Sequence, residues 1–428
     1  MSDTVLGPFP DDPGYEEALA LDEADPLRHH RDRYVRTDPD LIYLDGNSLG
    51  RLPAKTREIV RDVVDDQWGD RLIRSWNEGW WELQVSLGDK LAPLIGAGPG
   101  EVIISDSTSV NLYKLADAAL NAAGVGRNRI VSDDLNFPSD LYVLDGVARR
   151  HGGELVVVPS DGRHGPIAAL SEAIDETTAL VSLSHTAFKS GYTYDLGMVT
   201  EMAHAAGAMV LWDCSHSVGA VPIDLGAADV DLAVGCTYKY LNGGPGSPAF
   251  LYVRSDLQDR LHNPITGWWG HEMPFRFDLD FSPISGIRRF HSGTMPILSL
   301  AAVEAGIDDV LDAGMTAIRA KSVELTSFLI ARADDRLAQV GFSVASPRDA
   351  SQRGGHVALS HEHAWPVARA MAERAKVIPD FRTPDNVRLG PSPLYTSFVD
   401  AHTAIGRIER LVTSDAHLDY LDYEATVT

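Results

Sequence analysis

Met209-Val210-Leu211-Trp212-Asp213-Cys214-Ser215-His216 and, further on, Leu232-Ala233-Val234-Gly235-Cys236-Thr237-Tyr238-Lys239 decide how this chain is read. Each begins as an apolar run of strand length and ends in residues that titrate or form hydrogen bonds. The same rhythm extends upstream through Val102-Ile103-Ile104, Ile130-Val131, Leu155-Val156-Val157-Val158 and Leu180-Val181-Ser182-Leu183, with helical stretches between them. Strands buried on both faces read as continuous apolar runs, and helices between them cross over a parallel sheet. The expected fold class is therefore α/β, a mainly parallel sheet flanked by helices. In such sheets ligands bind beyond the carboxyl ends of the strands, so the residues following each run carry the chemistry.

Outward from this centre the character of the sequence changes. After Ile287, helical stretches at 297–311 and 316–332 lead to strands near Phe342 and His356, a smaller α/β domain. The segment before Asp40 is acidic, with one short helix at 16–24. Leu41-Ile42-Tyr43-Leu44 reads as a strand closed by the turn formers Asp45 to Ser48, and 53–68 reads as a helix. At 428 residues the chain exceeds the roughly 250–300 over which one core grows. The expected division is an amino-terminal arm (1–50) that completes the small domain, a large domain (51–295) and a small carboxyl-terminal domain (296–428).

Sixty-one acidic against 37 basic residues leave a formal charge of −24, so nucleic acid and anionic membranes are not expected partners. The start lacks the features of a secretory signal, and no apolar run is long enough to span a bilayer. Two cysteines, Cys214 and Cys236, exclude a disulfide framework and a multi-cysteine metal site. No metal is expected, and the expected compartment is the cytoplasm.

The two opening stretches place a carboxylate, Asp213, at the end of one strand and a lysine, Lys239, just past another. Pyridoxal 5'-phosphate needs this pair: an amine to form an imine with its aldehyde, and a carboxylate to keep its ring nitrogen protonated. Of the seven lysines, Lys239 alone directly follows a buried run in an apolar and aromatic setting. Taken singly, Asp213 also reads as a helix cap or loop ion pair, and Lys239 as a surface lysine. Asp106-Ser107-Thr108-Ser109-Val110-Asn111 lies between a strand and a helical pattern, where backbone amides favour a phosphate; a plain cap by Ser107 or Ser109 is the competing reading. Asn242-Gly243-Gly244-Pro245-Gly246 reads as close backbone packing after the lysine.

Together with Leu44-Asp45-Gly46-Asn47-Ser48-Leu49-Gly50, Asn136-Phe137-Pro138-Ser139-Asp140, Gly267-Trp268-Trp269-Gly270-His271-Glu272 and Arg388-Leu389-Gly390-Pro391-Ser392-Pro393-Leu394-Tyr395, these stretches resemble kynureninase of the bacterial type. The resemblance implies a fold-type I enzyme of the aminotransferase class V superfamily, with a sheet of the seven-stranded type and a homodimer that shares its active sites. It implies that Lys239 holds the coenzyme and, with Tyr238, is catalytic, and that Asp213 pairs with the ring nitrogen. Phe137 stacks on the ring, with Asp140 and His216 beside it, while Thr108, Ser109 and Tyr238 bind the phosphate. Trp268 and Thr294 are further cofactor-binding residues, contributed by the neighbouring subunit. Arg388 clamps the substrate carboxylate, and Asn47 and Trp76 complete the substrate site.

Simpler readings compete with these assignments. Arg388 also reads as a partner of Asp380 or Asp385, and Arg382 is a rival clamp. Phe137 also reads as a loop anchor, Trp268 and Trp269 as packing, and His216 as a buried structural histidine.

The implied reaction is hydrolysis of the Cβ–Cγ bond of L-kynurenine to anthranilate and L-alanine, with 3-hydroxykynurenine as a further substrate, in tryptophan catabolism and NAD biosynthesis by the kynurenine pathway. Thr294, where vertebrate members favouring the hydroxylated substrate carry asparagine, points to L-kynurenine. An aminotransferase of the same superfamily is the alternative. A cysteine desulfurase needs a nucleophilic cysteine on a mobile loop, which neither cysteine supplies. An inactive cofactor-binding relative is opposed by the presence of Lys239, Asp213 and Arg388.

Overall fold

A computed structural model describes Phe9 and residues 12–424. Its main sheet has seven strands: β1 (Val102–Ile104), β2 (Arg129–Asp133), β3 (Leu155–Val158), β4 (Thr178–Ser184), β5 (Met209–Asp213), β6 (Leu232–Gly235) and β7 (Phe250–Val253). Their spatial order is β1-β7-β6-β5-β4-β2-β3. Neighbours are parallel except for β7, which runs antiparallel to both β1 and β6. The expected α/β class with a mainly parallel, helix-flanked sheet is therefore what the chain forms.

Successive strand residues point to opposite faces, and both faces are dry. Ile103, Ile130, Leu180, Leu211 and Leu232 pack under Leu112, Leu115 and Ala119 of the helix Thr108–Ala122 and Leu144 and Val147 of the helix Pro138–Arg150. Val131, Val181, Val210, Trp212 and Ala233 face the other way, onto Val199 and Ala203 of the helix Leu196–Ala205 and onto Leu87 and Leu91. Two details depart from the sequence reading. Phe250–Val253 is a seventh strand that the periodicity did not single out, because it returns without a crossover helix. Leu155–Val158, read as a buried run, is the sheet's edge, and Val157 is exposed there.

A second core lies in the carboxyl-terminal part. Four antiparallel strands, in the order Asp380–Arg382, Asn386–Leu389, Val357–Ser360, Ser343–Val344, pack with the helices Met315–Arg332, Ala364–Arg374 and Phe398–Thr413. The amino-terminal segment joins it. Ile42–Tyr43 pairs in parallel with Val377–Ile378, and Asp22 accepts the Phe398 and Val399 amides at 2.7 and 3.0 Å, capping the last long helix. Leu27 and Tyr34 of the arm, and Leu300, Val303 and Ile307 of the helix Ile297–Ala313, pack instead into the large sheet's core.

The strand order reverses between β2 and β4, since β3 lies outside β2 while β4, β5 and β6 continue the other way. Such a reversal opens a crevice at the carboxyl edge.

Candidate active site

At this edge a cavity of about 200 Å³ is walled by Ser48, Thr108, Ser109, Phe137, Ser139, Asp140, Asp213, Ser215, His216, Tyr238, Lys239 and Arg382. Asp213 ends β5 between Ser184 of β4 and Val234 of β6, and accepts the Ser215 amide at 2.8 Å. Lys239 lies in the turn after β6. The Asn242 amide bonds the Lys239 carbonyl at 2.9 Å, and the Gly243 amide bonds the Thr237 carbonyl at 2.9 Å. The Gly50 amide donates to the Tyr238 carbonyl at 2.8 Å. A Cβ at Gly50 would overlap the Lys239 carbonyl and Asn242, so only glycine lets the turn at 45–50 press onto the lysine loop and bring Ser48 to the wall.

The Lys239 ammonium donates to His216 Nε2 at 2.9 Å. Burial first, and the Lys239 charge second, hold the His216 pKa well below its ordinary value, so the imidazole is neutral and accepts this bond. No carboxylate among the described residues forms an ion pair with Lys239. The Asp140 carboxyl is pushed well above the ordinary carboxylate range, by burial first and by the adjacent Asp213 second. The Tyr238 hydroxyl is raised as well, by Cys236 first and then by burial.

Phe137 presents a partly exposed ring to the cavity, with its edge fixed by Phe188 at 5.2 Å between centroids and 87° between planes. The turn carrying it is rigid: Asn136 Oδ1 accepts the Phe137 amide at 2.8 Å and the Ser184 hydroxyl at 2.7 Å. Ser107 caps the helix Thr108–Ala122 by accepting the Val110 amide, leaving Thr108 and Ser109 in its first turn. The Ser109 hydroxyl lies 3.1 Å from that of Ser139. Such a terminus favours an anion. Two buried polar atoms here, His216 Nδ1 and Asp140 Oδ2, have no protein partner. An amine, a carboxylate, an aromatic face and helix-terminal hydroxyls around one cavity form a donor set that fits a phosphorylated pyridine aldehyde.

The remaining expected residues sit elsewhere. Arg388 is fully buried and is not among the residues that wall the cavity, though its neighbour Ser48 is. The small hairpin places it directly opposite Asp380, with which it forms an ion pair; it also donates to Ser48 Oγ at 3.2 Å and to the Phe188 carbonyl. Burial pushes its pKa down to about 10. Arg382, from the same hairpin, reaches the wall itself and donates to Asp380 Oδ1 at 2.6 Å. Asn47 is buried against Gly390 with both side-chain polar atoms unpartnered. Trp76, Trp268 and Thr294 line a different, aromatic cavity of about 330 Å³, together with Ile73, Asn77, Trp81, Trp269 and Phe275. Cys214 and Cys236 are buried thiols at strand ends, both raised by burial, which does not suit a mobile nucleophile. Sequence reasoning assigned no role to Ser48, Ser139 or Ser215; all three adjoin residues it did single out.

Comparison with known proteins adds lineage to this geometry. The family model for the kynureninase C-terminal domain matches residues 318–408. Kynureninase of Burkholderia pseudomallei is 44% identical over 409 residues, covering 94% of this chain and 96% of the relative. Kynureninase of Pseudomonas fluorescens is 42% identical over 395 residues, covering 91% and 93%. Among solved structures, the cysteine desulfurase CsdA of Escherichia coli superposes with a TM-score of 0.77 at 18% identity, covering 91% of this chain and 98% of that one. A C-DES mutant with glycine covalently linked to its PLP cofactor gives 0.74 at 17% identity, covering 87% and 97%. The structural likenesses establish the fold.

Proposed function

The chain belongs to the kynureninase family, and on that footing we propose that it hydrolyses the Cβ–Cγ bond of L-kynurenine, giving anthranilate and L-alanine with pyridoxal 5'-phosphate as cofactor. The observation that carries this reading is that Lys239 and Asp213 face one cavity together with an aromatic ring and a helix N-terminus. Bound there, the cofactor supplies an electron sink for carbanionic charge at the substrate.

Lys239 would hold the cofactor through its aldehyde, and its amine is the base placed to take the proton from the substrate Cα. Neutral His216 accepts a hydrogen bond from the Lys239 ammonium. Asp213 would pair with the ring nitrogen, with Asp140 beside it. Phe137 covers one ring face. Thr108 and Ser109, with Tyr238, take the phosphate, and Tyr238 serves as the second proton carrier. Arg388 takes the substrate carboxylate, with Ser48 and Arg382 beside it. Asp380 already fills the role of an anion between the two guanidiniums.

Asn47 and Trp76 act at the substrate end, while Trp268 and Thr294 help to hold the cofactor in the cavity of a second copy. The homodimer is supported by exposed apolar side chains around the aromatic cavity: Ile73, Phe275 and Phe277 are each more than half exposed, as is Leu279 further along. We take 1–50, 51–295 and 296–428 as arm, large domain and small domain, the helix Ile297–Ala313 of the last being packed on the large core, and we place the enzyme in the cytoplasm, acting in tryptophan catabolism and NAD biosynthesis. No helix among the described residues is long and apolar enough to cross a membrane. 3-Hydroxykynurenine is the further substrate. Incubation with pyridoxal 5'-phosphate and L-kynurenine should release fluorescent anthranilate and alanine in equal amounts. A transamination product without anthranilate would make the chain an aminotransferase.

A further inference from the structure

Lys114 is fully buried, and nothing in the reaction above uses it. It lies on the helix Thr108–Ala122, with its ammonium bonded to the Asp106 carboxylate and, at 2.8 Å, to the Phe290 carbonyl. Asp106 is where β1 turns into that helix, and its φ is +51°, a left-handed conformation that a residue with a Cβ keeps only when its surroundings hold it. The same Asp106 Oδ2 accepts from Ser105 Oγ at 3.0 Å and from Ser292 Oγ at 3.3 Å. Phe290 and Ser292 belong to the segment that leads to Thr294. One ammonium thus joins the strained turn two residues before Thr108 to that segment. A buried ion pair gives little net stability over an apolar pair of the same shape, so its use here is to fix a position.

We infer that Lys114 is a positioning residue for the cofactor phosphate. Through Asp106 it holds the turn that aims the first donors of the helix into the cavity, and through Phe290 it locks that turn to the segment ending at Thr294. The inference rests on the assignment of Thr108 and Ser109 to the phosphate.

The test compares binding of pyridoxal 5'-phosphate and of pyridoxal, which has the same ring and aldehyde but no phosphate. Equilibrium dialysis is run on the cofactor-free full-length chain, on Lys114→Met and on the double variant Asp106→Asn/Lys114→Met, with thermal melting of each. The unaltered chain should strongly prefer the phosphorylated form; equal affinity would overturn the phosphate assignment and the inference with it. Given that preference, Lys114→Met should weaken binding of the phosphorylated form about tenfold or more and leave pyridoxal binding within about twofold. The double variant carries neither charge, and asparagine tolerates the left-handed turn, so it should fold even where the single variant does not, and show the same selective loss. Equal weakening of both ligands, or unchanged affinity for the phosphorylated form in both variants, overturns the role of Lys114.

Discussion

Lys114 and Lys239 stand at the same edge of the large sheet in opposite surroundings. Lys114 has no exposed surface, and a carboxylate and a carbonyl take up its ammonium. Lys239 is half-buried and opens on the cavity, and its ammonium bonds a neutral imidazole with no carboxylate partner among the described residues. A buried charge that is paired is a structural element; one left without a counter-charge beside unpartnered polar atoms marks a site. The arginines differ in exposure alone: both pair with Asp380, but Arg388 is enclosed while Arg382 opens on the cavity.

The contrast is broken most severely at the lysines. Lys239→Ala should lower turnover of L-kynurenine by at least about a thousandfold in steady-state assays, whereas Lys114→Met should lose far less once cofactor is saturating. Comparable losses from both would erase the distinction.

At the arginines, Arg388→Ala should raise KM about a hundredfold with a smaller change in kcat. It should also lower the melting temperature, because Asp380 loses a buried partner. Arg382→Ala leaves the Asp380–Arg388 pair in place and should raise KM less. A larger effect at Arg382 would move the carboxylate site to the cavity wall.

The two carboxyls sharpen the picture further. Asparagine at 140 keeps a neutral hydrogen-bonding group beside Asp213, so Asp140→Asn should change kcat/KM less than about fivefold, while Asp213→Asn should cost about a hundredfold.

The smallest effect concerns pH. Burial pushes Asp45 up from 3.8 to about 6, against the opposing pull of Ser48 and Arg388. A carboxyl raised on folding contributes stability below its unfolded pKa and loses it as pH rises through the folded value. Asp45→Asn should therefore flatten the stability profile, removing a loss of roughly 1–3 kcal/mol between pH 4 and pH 7 in denaturant titrations.

Much of this was legible in the sequence because strand ends announce themselves: an apolar run followed by Asp213, or by Tyr238 and Lys239, puts those side chains at one edge whatever the packing details. Other features depend on pairings that spacing cannot encode. Arg382 and Arg388 lie six positions apart on one hairpin. Which of them faces the cavity follows from the register that sets Asp380 opposite Arg388. The separation of Trp76, Trp268 and Thr294 into a second cavity needs the packing of distant loops. The strand Phe250–Val253 escaped because it returns antiparallel after a Gly-rich turn, without the helix that flags its neighbours.

The most direct measurement is to reduce the cofactor-loaded full-length chain with borohydride and map the modified lysine by peptide mass spectrometry. The pyridoxyl group should appear on Lys239 alone, within residues 235–241. Modification at Lys114 or any other lysine, or none at all, would contradict the assignment of Lys239.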